Sequence, residues 1–393
     1  MKLALIGVGQ AGGKIVDEFL RYDERTRGSF ITHASAINTA STDLRGLDLV
    51  PEENRVLIGQ SRVKGHGVGA DNELGAEIGD QESAEVLGAT DSAPMGLTDA
   101  FLVVGALGGG TGSGAGPVVA RTLKRVYTEP VYGLGVLPGT TEGGIYTLNA
   151  ARSFKTFSRE VDNLLVFDND AWRQSGQSLS AGYGEINREI VRRFGLLFSA
   201  GELSAVEEVG ESVVDASEII NTLATGGIST VGYSTGDLPA SDARRRSLLG
   251  RFAANGHREV DEAEAVSRIQ STVRQATLGR LTLPCEVAST ERALVVVAGP
   301  PDHLSRKGIE RAREWLEDEA ATLEVRGGDF PQPSATRVAS VVLLSGVSNV
   351  PRITELQQVA IEAQDNIRRL DEEHEDALDA LVQDDEGELD PLF

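Results

Sequence analysis

One cysteine in 393 residues leaves no internal disulfide to build. Cys285, in the strand-like stretch Leu281–Ala288 (LTLPCEVA), reads as a packed thiol and not as a nucleophile, and a lone thiol suits a reducing compartment. Lysine is nearly absent: residues 2, 14, 64, 124, 155 and 307 are the only six, so arginine carries the positive charge. No basic stripe exists for a nucleic acid to lie on. The five histidines (33, 66, 257, 303 and 374) are scattered without the spacing of a zinc site. No apolar run approaches the ~18 residues of a membrane helix, and MKLALIGVG is too short and weakly charged for a signal peptide. These absences point to a cytoplasmic protein with no direct membrane insertion.

Acid is abundant. The formal net charge is −23 and aromatic residues make up only 5%. Such a surface repels itself unless ions screen it, which suits a salt-rich milieu. The length and 40% hydrophobic content suffice for two domains with real cores.

Apolar runs bounded by Gly, Pro, Asn or Asp predict strands at Lys2–Ile6, Thr32–Ile37, Ala100–Val104, Val131–Leu137 and Leu164–Phe167. Helical patterns lie between them, over Gly12–Tyr22, Val118–Tyr127 and Thr147–Asn163. This alternation predicts an α/β fold with a mostly parallel sheet and right-handed crossovers. A long helix follows from Tyr183. A second, smaller α+β unit is expected beyond a boundary near 200–215, with helices over Ala216–Leu223, Asp261–Gln275, Leu304–Ala321 and Val350–Arg369. Its strands are expected over Ala293–Ala298 and Val338–Leu344. The expected division is a first domain over 1–182, a central helix over 183–204, a second domain over 205–370 and a disordered tail over 371–393. That tail holds eleven acids and no Lys or Arg.

Gly105–Pro117 (GALGGGTGSGAGP) places seven glycines between a strand and a helix. Glycine is costly to order, so the crowding implies backbone that must approach something closely. Successive bare N–H groups can form an anion cradle, and the following helix N-terminus adds partial positive charge. Thr111 and Ser113 offer hydroxyls, and Pro117 suits a first helical turn. A second glycine loop, Gly7–Gly12 (GVGQAG), fits the dinucleotide pattern G-x-G-x-x-G. The second strand, however, ends at Asn38-Thr39 where that fingerprint wants an acid. A Walker loop fails as well, with Val8 and Ile15 at its leading-glycine and hydroxyl positions. Two glycine loops on one sheet edge imply a nucleotide gripped from both sides.

These segments resemble the tubulin/FtsZ GTPases, and with the acidic composition the match is best to the CetZ branch of halophilic archaea. Gly108, Gly109, Gly110, Thr111, Gly112, Ser113 and Gly114 (GGGTGSG) are similar to that superfamily's signature loop. Gly9, Gln10, Ala11, Gly12, Gly13 and Lys14 resemble its first phosphate loop, whose strand-end neighbour is Asn38. Gly67, Val68, Gly69 and Ala70, within GHGVGADN, resemble the loop whose amides face the γ-phosphate. PGTTEG resembles the ribose loop and places Glu142 near the sugar, and FDNDA resembles the base-contact segment with Asn169 as base ligand. YGEIN keeps the spacing that opens the central helix, implying that Tyr183 stacks on guanine and Asn187 bonds its edge. On their own, Glu142 and Asn169 also read as a turn residue and a strand-end cap, and Tyr183 and Asn187 as ordinary helix surface.

Val213–Ile219 (VVDASEI) reads locally as a helix start, with Asp215 at the cap and Glu218 three residues on. The resemblance gives both acids a second role, polarising the attacking water in the neighbouring subunit's pocket. Where the superfamily usually has Asn, two residues before the first acid, this chain has Val213. The resemblance therefore implies GTP and GDP with Mg2+, slow hydrolysis and a head-to-tail homopolymer, with adaptor proteins on the acidic tail. Three alternatives remain at this point: a nucleotide-binding scaffold with little turnover, a division filament of the FtsZ type, and a dehydrogenase using GVGQAG.

Overall fold

The computed structural model describes residues 1–172, 179–200, 202, 213–238 and 262–382. Most of the expected boundary near 200–215 and the last part of the tail, 383–393, lie outside the described residues. The strands are β1 (Leu3–Val8), β2 (Ile31–Asn38), β3 (Arg55–Leu57), β4 (Ala100–Ala106), β5 (Val131–Leu137), β6 (Asn163–Asp168), β7 (Ile228–Asp237), β8 (Arg292–Gly299), β9 (Val325–Pro331) and β10 (Arg337–Ser345). They form one sheet in the order β3-β2-β1-β4-β5-β6-β7-β10-β8-β9. Strands β1 to β6 run parallel, and β7 continues them beside β6. Strand β10 is antiparallel to both β7 and β8, and β9 returns parallel to β8.

The longer helices are α1 (Gly9–Thr26), α2 (Asn72–Gln81), α3 (Thr111–Val126), α4 (Gly144–Glu160), α5 (Leu179–Ser199), α6 (Ala216–Leu223), α7 (Glu262–Leu278), α8 (Arg306–Ala320) and α9 (Pro351–Val382). They cover both faces of the sheet, which is why β1 shows no polar alternation. Its Ala4, Ile6 and Val8 enter one core with Val119 of α3, Phe157 of α4, Ile269 of α7 and Leu356 of α9. Leu3 and Leu5 enter the other core with Phe19 of α1, Phe194 and Phe198 of α5, and Leu223 of α6. Both cores run through the two halves of the sheet.

Several expectations need correction. The central helix begins at Leu179, four residues before Tyr183. Leu281–Ala288 is not a strand, and burial pushes the Cys285 thiol up to about 11. The tail is helical as far as Val382, because α9 continues through EEHEDALDALV, where Ala, Leu and Glu favour the helix. Pro117 lies inside α3 and not in its first turn. Proline has no N–H for the carbonyl of Ser113, four residues back. The buried hydroxyl of Ser153 on α4 donates to that carbonyl instead, at 2.7 Å.

Strands β3, β7 and β9 went unforeseen. VRGGDFP carries two glycines, an acid and a proline, the composition of a turn, yet it forms the sheet edge where such residues are tolerated.

Candidate nucleotide site

Strands β1, β2, β4, β5 and β6 are parallel, so their carboxyl ends share one edge. From Val8, Asn38, Ala106, Leu137 and Asp168 depart the first glycine loop, the Asn38-Thr39 turn, the signature loop, the Pro138–Gly143 loop and the Asn169 segment. Ligands of open α/β sheets bind outside this edge. Gly67–Ala70 joins it through the Gly67 amide, which donates to the Thr39 carbonyl at 3.1 Å.

The glycines are explained largely by backbone packed on backbone. Gly9 sits at φ +74, and a Cβ there would lie 2.8 Å from the Gly112 nitrogen, so the two phosphate-type loops touch directly. A Cβ at Gly110 would lie 2.4 Å from the Gly69 oxygen, and one at Gly114 would lie 2.1 Å from the Asn72 oxygen. Gly109 differs: a Cβ there meets no protein atom within 4 Å. The signature loop is thus pressed on three sides and open on one.

Helices α1 and α3 both start here, and neither has a side-chain N-cap. Among the described residues, the amides of Gly110, Thr111, Gly112 and Ser113 meet no protein acceptor. Two bare helix N-termini side by side, on the adjacent strands β1 and β4, make an anion site. The hydroxyls are less available: Ser113 donates to the Gly109 carbonyl, and Thr111 pairs with Thr39 at 2.7 Å. Lys14 is exposed, whereas Gly12, Gly13 and Val68 are buried. Asn38 is buried, its Oδ1 accepting from the Thr39 amide at 2.8 Å and its Nδ2 donating to Asp43 at 3.2 Å. Gln10 donates to the other oxygen of Asp43 at 3.1 Å.

Asn149 is a residue that the sequence reading missed. Buried on α4, it donates through Nδ2 to the carbonyls of Ala70, at 2.6 Å, and Gly108, at 3.1 Å, stitching two of the loops together. The buried face of α4 also carries Thr147 and Ser153, so Asn149 did not stand out in the sequence.

On the β6 side, the Glu142 carboxylate accepts from the Gly139 amide at 2.7 Å and closes its own turn. Thr140 donates twice to Asp170, from its amide at 3.0 Å and its hydroxyl at 2.9 Å. Asn169 is buried, and its Oδ1 has no hydrogen-bond partner, an acceptor left for something else to satisfy. Tyr183 and Asn187 lie one turn apart on α5, the first exposed and the second half-buried. No group of three or more His, Cys, Asp or Glu able to hold a metal occurs among the described residues. A magnesium ion therefore fits here only as a companion of bound phosphate, which supplies ligands of its own.

Asp215 and Glu218 are not brought to this edge. Helix α5 starts beyond β6 and ends where the carbonyl of Phe198 accepts from the Met1 amine at 2.8 Å, at the amino end of β1. Asp215 feels that same amine, and Asn163, at the amino end of β6, donates to the Leu223 carbonyl at the end of α6. The acids and the glycine loops thus occupy opposite ends of the sheet. Asp215 caps α6, accepting from the Glu218 amide at 3.0 Å. The Ser217 hydroxyl holds the Asp215 carboxyl below its ordinary value, whereas burial and then Asp215 raise that of Glu218. The amide of Val214 donates to the Asp329 carbonyl on β9 at 3.2 Å and fixes the start of this segment.

Comparison with known proteins places both halves. Residues 2–177 match the Tubulin/FtsZ family GTPase domain, and residues 176–362 match the C-terminal domain of tubulin-like CetZ. The chain is 63% identical over 372 residues to tubulin-like protein CetZ1 of Haloferax volcanii, covering 94% of each. The solved GDP-bound monomer of CetZ1 from that organism superposes with a TM-score of 0.82 at 61% identity, over 93% of this chain and all of that one (100%). The solved GTPγS-bound protofilament of its CetZ2 gives 0.82 at 44% identity, over 94% of this chain and 100% of that one. No described helix is long and apolar enough to cross a membrane. With this fold, these loops and a similarity running along nearly its whole length, the chain belongs to the tubulin-like CetZ family of the tubulin/FtsZ superfamily.

Proposed function

We propose that this protein is a cytoplasmic, filament-forming GTPase that hydrolyses GTP where one subunit meets the next, and that its filaments control cell shape. The observation that carries this reading is the separation of the site into two halves. Anion-binding helix termini lie at the carboxyl edge, and a pair of differently tuned acids lies at the other. Only a second copy, stacked head to tail, brings one to the other, and such a heterologous contact builds filaments when it does not close. The GDP-bound and GTPγS-bound relatives support guanine nucleotides as the ligand.

In this reading the amides of Gly110, Thr111, Gly112 and Ser113 hold the phosphates, and Gly9–Lys14 and Gly67–Ala70 close around them. Glu142 faces the ribose, the orphan oxygen of Asn169 accepts from the guanine edge, and Asn187 and Tyr183 complete the base site. Fixed amides stabilise charge developing on the γ-phosphate without reorganising. A magnesium ion, if held by the phosphate oxygens, would supply part of the neutralising charge there. Asp215, kept ionised by the Ser217 hydroxyl, orients the attacking water, and Glu218 beside it accepts a proton. Val213 offers no polar side chain to the neighbour's nucleotide, which favours slow turnover.

The test is GTPase activity against protein concentration. Turnover per subunit should rise steeply with concentration, and protein denatured after purification should release guanine nucleotide. Constant turnover per subunit would remove the shared site, and release of NAD would remove the GTPase.

A further inference from the structure

At the start of α9, Arg352 reaches into the far side of the nucleotide edge. Its Nη2 donates to the Pro138 carbonyl at 3.1 Å, its Nε stands 3.5 Å from Oδ1 of Asp168, and its Nη1 pairs with Glu355 at 3.0 Å. The side chains of Arg352 and Asp168 are only 10% and 4% exposed. Pro138 opens the loop that carries Glu142, and Asp168 directly precedes Asn169. The Asp170 amide donates to that same Asp168 oxygen at 3.1 Å, and Thr140 returns to Asp170. Arg352, Asp168, Asp170, Thr140 and Pro138 therefore form a closed ring joining the ribose-type loop, the base-type segment and the C-terminal helix.

We propose that Arg352 is a positioning residue for the nucleotide, holding the Pro138–Gly143 loop and Asn169 at the separation that a nucleoside requires and making the seat of α9 part of the binding site. The inference rests on the guanine-nucleotide reading above. This buried arginine crosses from α9 to two loops that both leave the carboxyl edge of the sheet. The charged groups facing Asp168 are Arg352 from α9 and Asp170 from its own segment, with Glu355 on the outer side of Arg352.

The experiment compares full-length wild type, Arg352→Met and Arg352→Lys with a fluorescent GDP analogue, reading affinity and dissociation rate, with circular dichroism to verify folding. Arg352→Met should weaken binding by about tenfold, the equivalent of one charge-assisted hydrogen bond, mostly through faster dissociation. Lysine should recover part of the loss, because it restores charge beside Asp168 but not the fork that also reaches Pro138. Wild-type affinity should fall between pH 7.5 and 5.5 as Asp168 takes up a proton and releases Arg352, whereas the Met variant should stay flat. A folded Arg352→Met protein with wild-type affinity and dissociation rate overturns the proposal. If that variant does not fold, Asp170→Ala cuts the same ring at its exposed link by removing the acceptor of both Thr140 bonds, and unchanged binding there overturns it equally. A wild type that binds no guanine nucleotide would refute the parent reading first, which separates the two failures.

Discussion

Two inactive variants, mixed in equal amounts, should make a partly active filament. Glu218→Gln retains the cap of α6, because glutamine serves at that helix position as glutamate does. It removes the carboxylate proposed to act on water. Gly109→Trp projects a large ring from the open side of the signature loop, where a Cβ meets no protein atom within 4 Å. At Gly110 the same change would drive into the Gly69 oxygen, 2.4 Å from its Cβ, and would test folding instead. Each variant alone should lose roughly 10²-fold or more in turnover, the second because its pocket is blocked. In a mixed filament, a contact is competent when a filled Glu218→Gln pocket meets the intact acids of a Gly109→Trp neighbour. Random order gives that arrangement at one contact in four, so the mixture should recover roughly a quarter of wild-type turnover per contact. The assay is phosphate release with GTP, alongside co-sedimentation to verify that both variants enter one polymer. Co-assembly without recovered turnover would refute completion of the site by a neighbour. Full activity of Glu218→Gln alone would reduce that residue to a helix cap.

Ser153→Ala should cost about 1–3 kcal/mol in urea unfolding by stranding the Ser113 carbonyl; adding Pro117→Ala returns a helix N–H to that carbonyl and should recover part of the loss. Light scattering with GTP should be weakest in dilute buffer and grow with salt, because like subunits carrying −23 formal charges repel until screened. Burial pushes Asp168 up to about 6 against the opposing pull of Arg352, so its ionised form is disfavoured in the folded protein. That penalty is full above pH 6 and is relieved as pH falls toward the unfolded value. The stability of Asp168→Asn relative to wild type should therefore drop by roughly 1–3 kcal/mol between pH 7 and pH 4.5.

The long strands of the first half of the sheet were legible because a parallel sheet buried on both faces writes each of them as an uninterrupted apolar run, as in Val131–Leu137. The half-buried three-residue edge strand β3 was not. The glycine loops were legible as a kind of site, but the reason for most of their glycines was not. Gly110 and Gly114 meet backbone from Gly69 and Asn72, about forty residues earlier in the chain. Strand β9 was hidden because an edge strand tolerates residues that otherwise mark turns. Asn149 and Arg352 were hidden for another reason: each acts on carbonyl oxygens, which every residue possesses and no sequence pattern marks. The extent of α9 was misjudged because acidic composition reports on solvation, whereas alanine, leucine and glutamate together also sustain a helix.

Helix α9 spans 32 residues, and among the described residues its first turns are the part gripped by the body: Ile353, Leu356 and Ala360 are buried, whereas Ile361, Ile367, Leu370 and Leu378 are exposed. Past Ala360 the rod extends for roughly 33 Å. In geometry it is a lever pivoting near Ala360, with a short arm that ends at the turn carrying Arg352. A tilt of about 5° about Ala360 would sweep the far end through about 3 Å and shift the Arg352 end by about 1 Å.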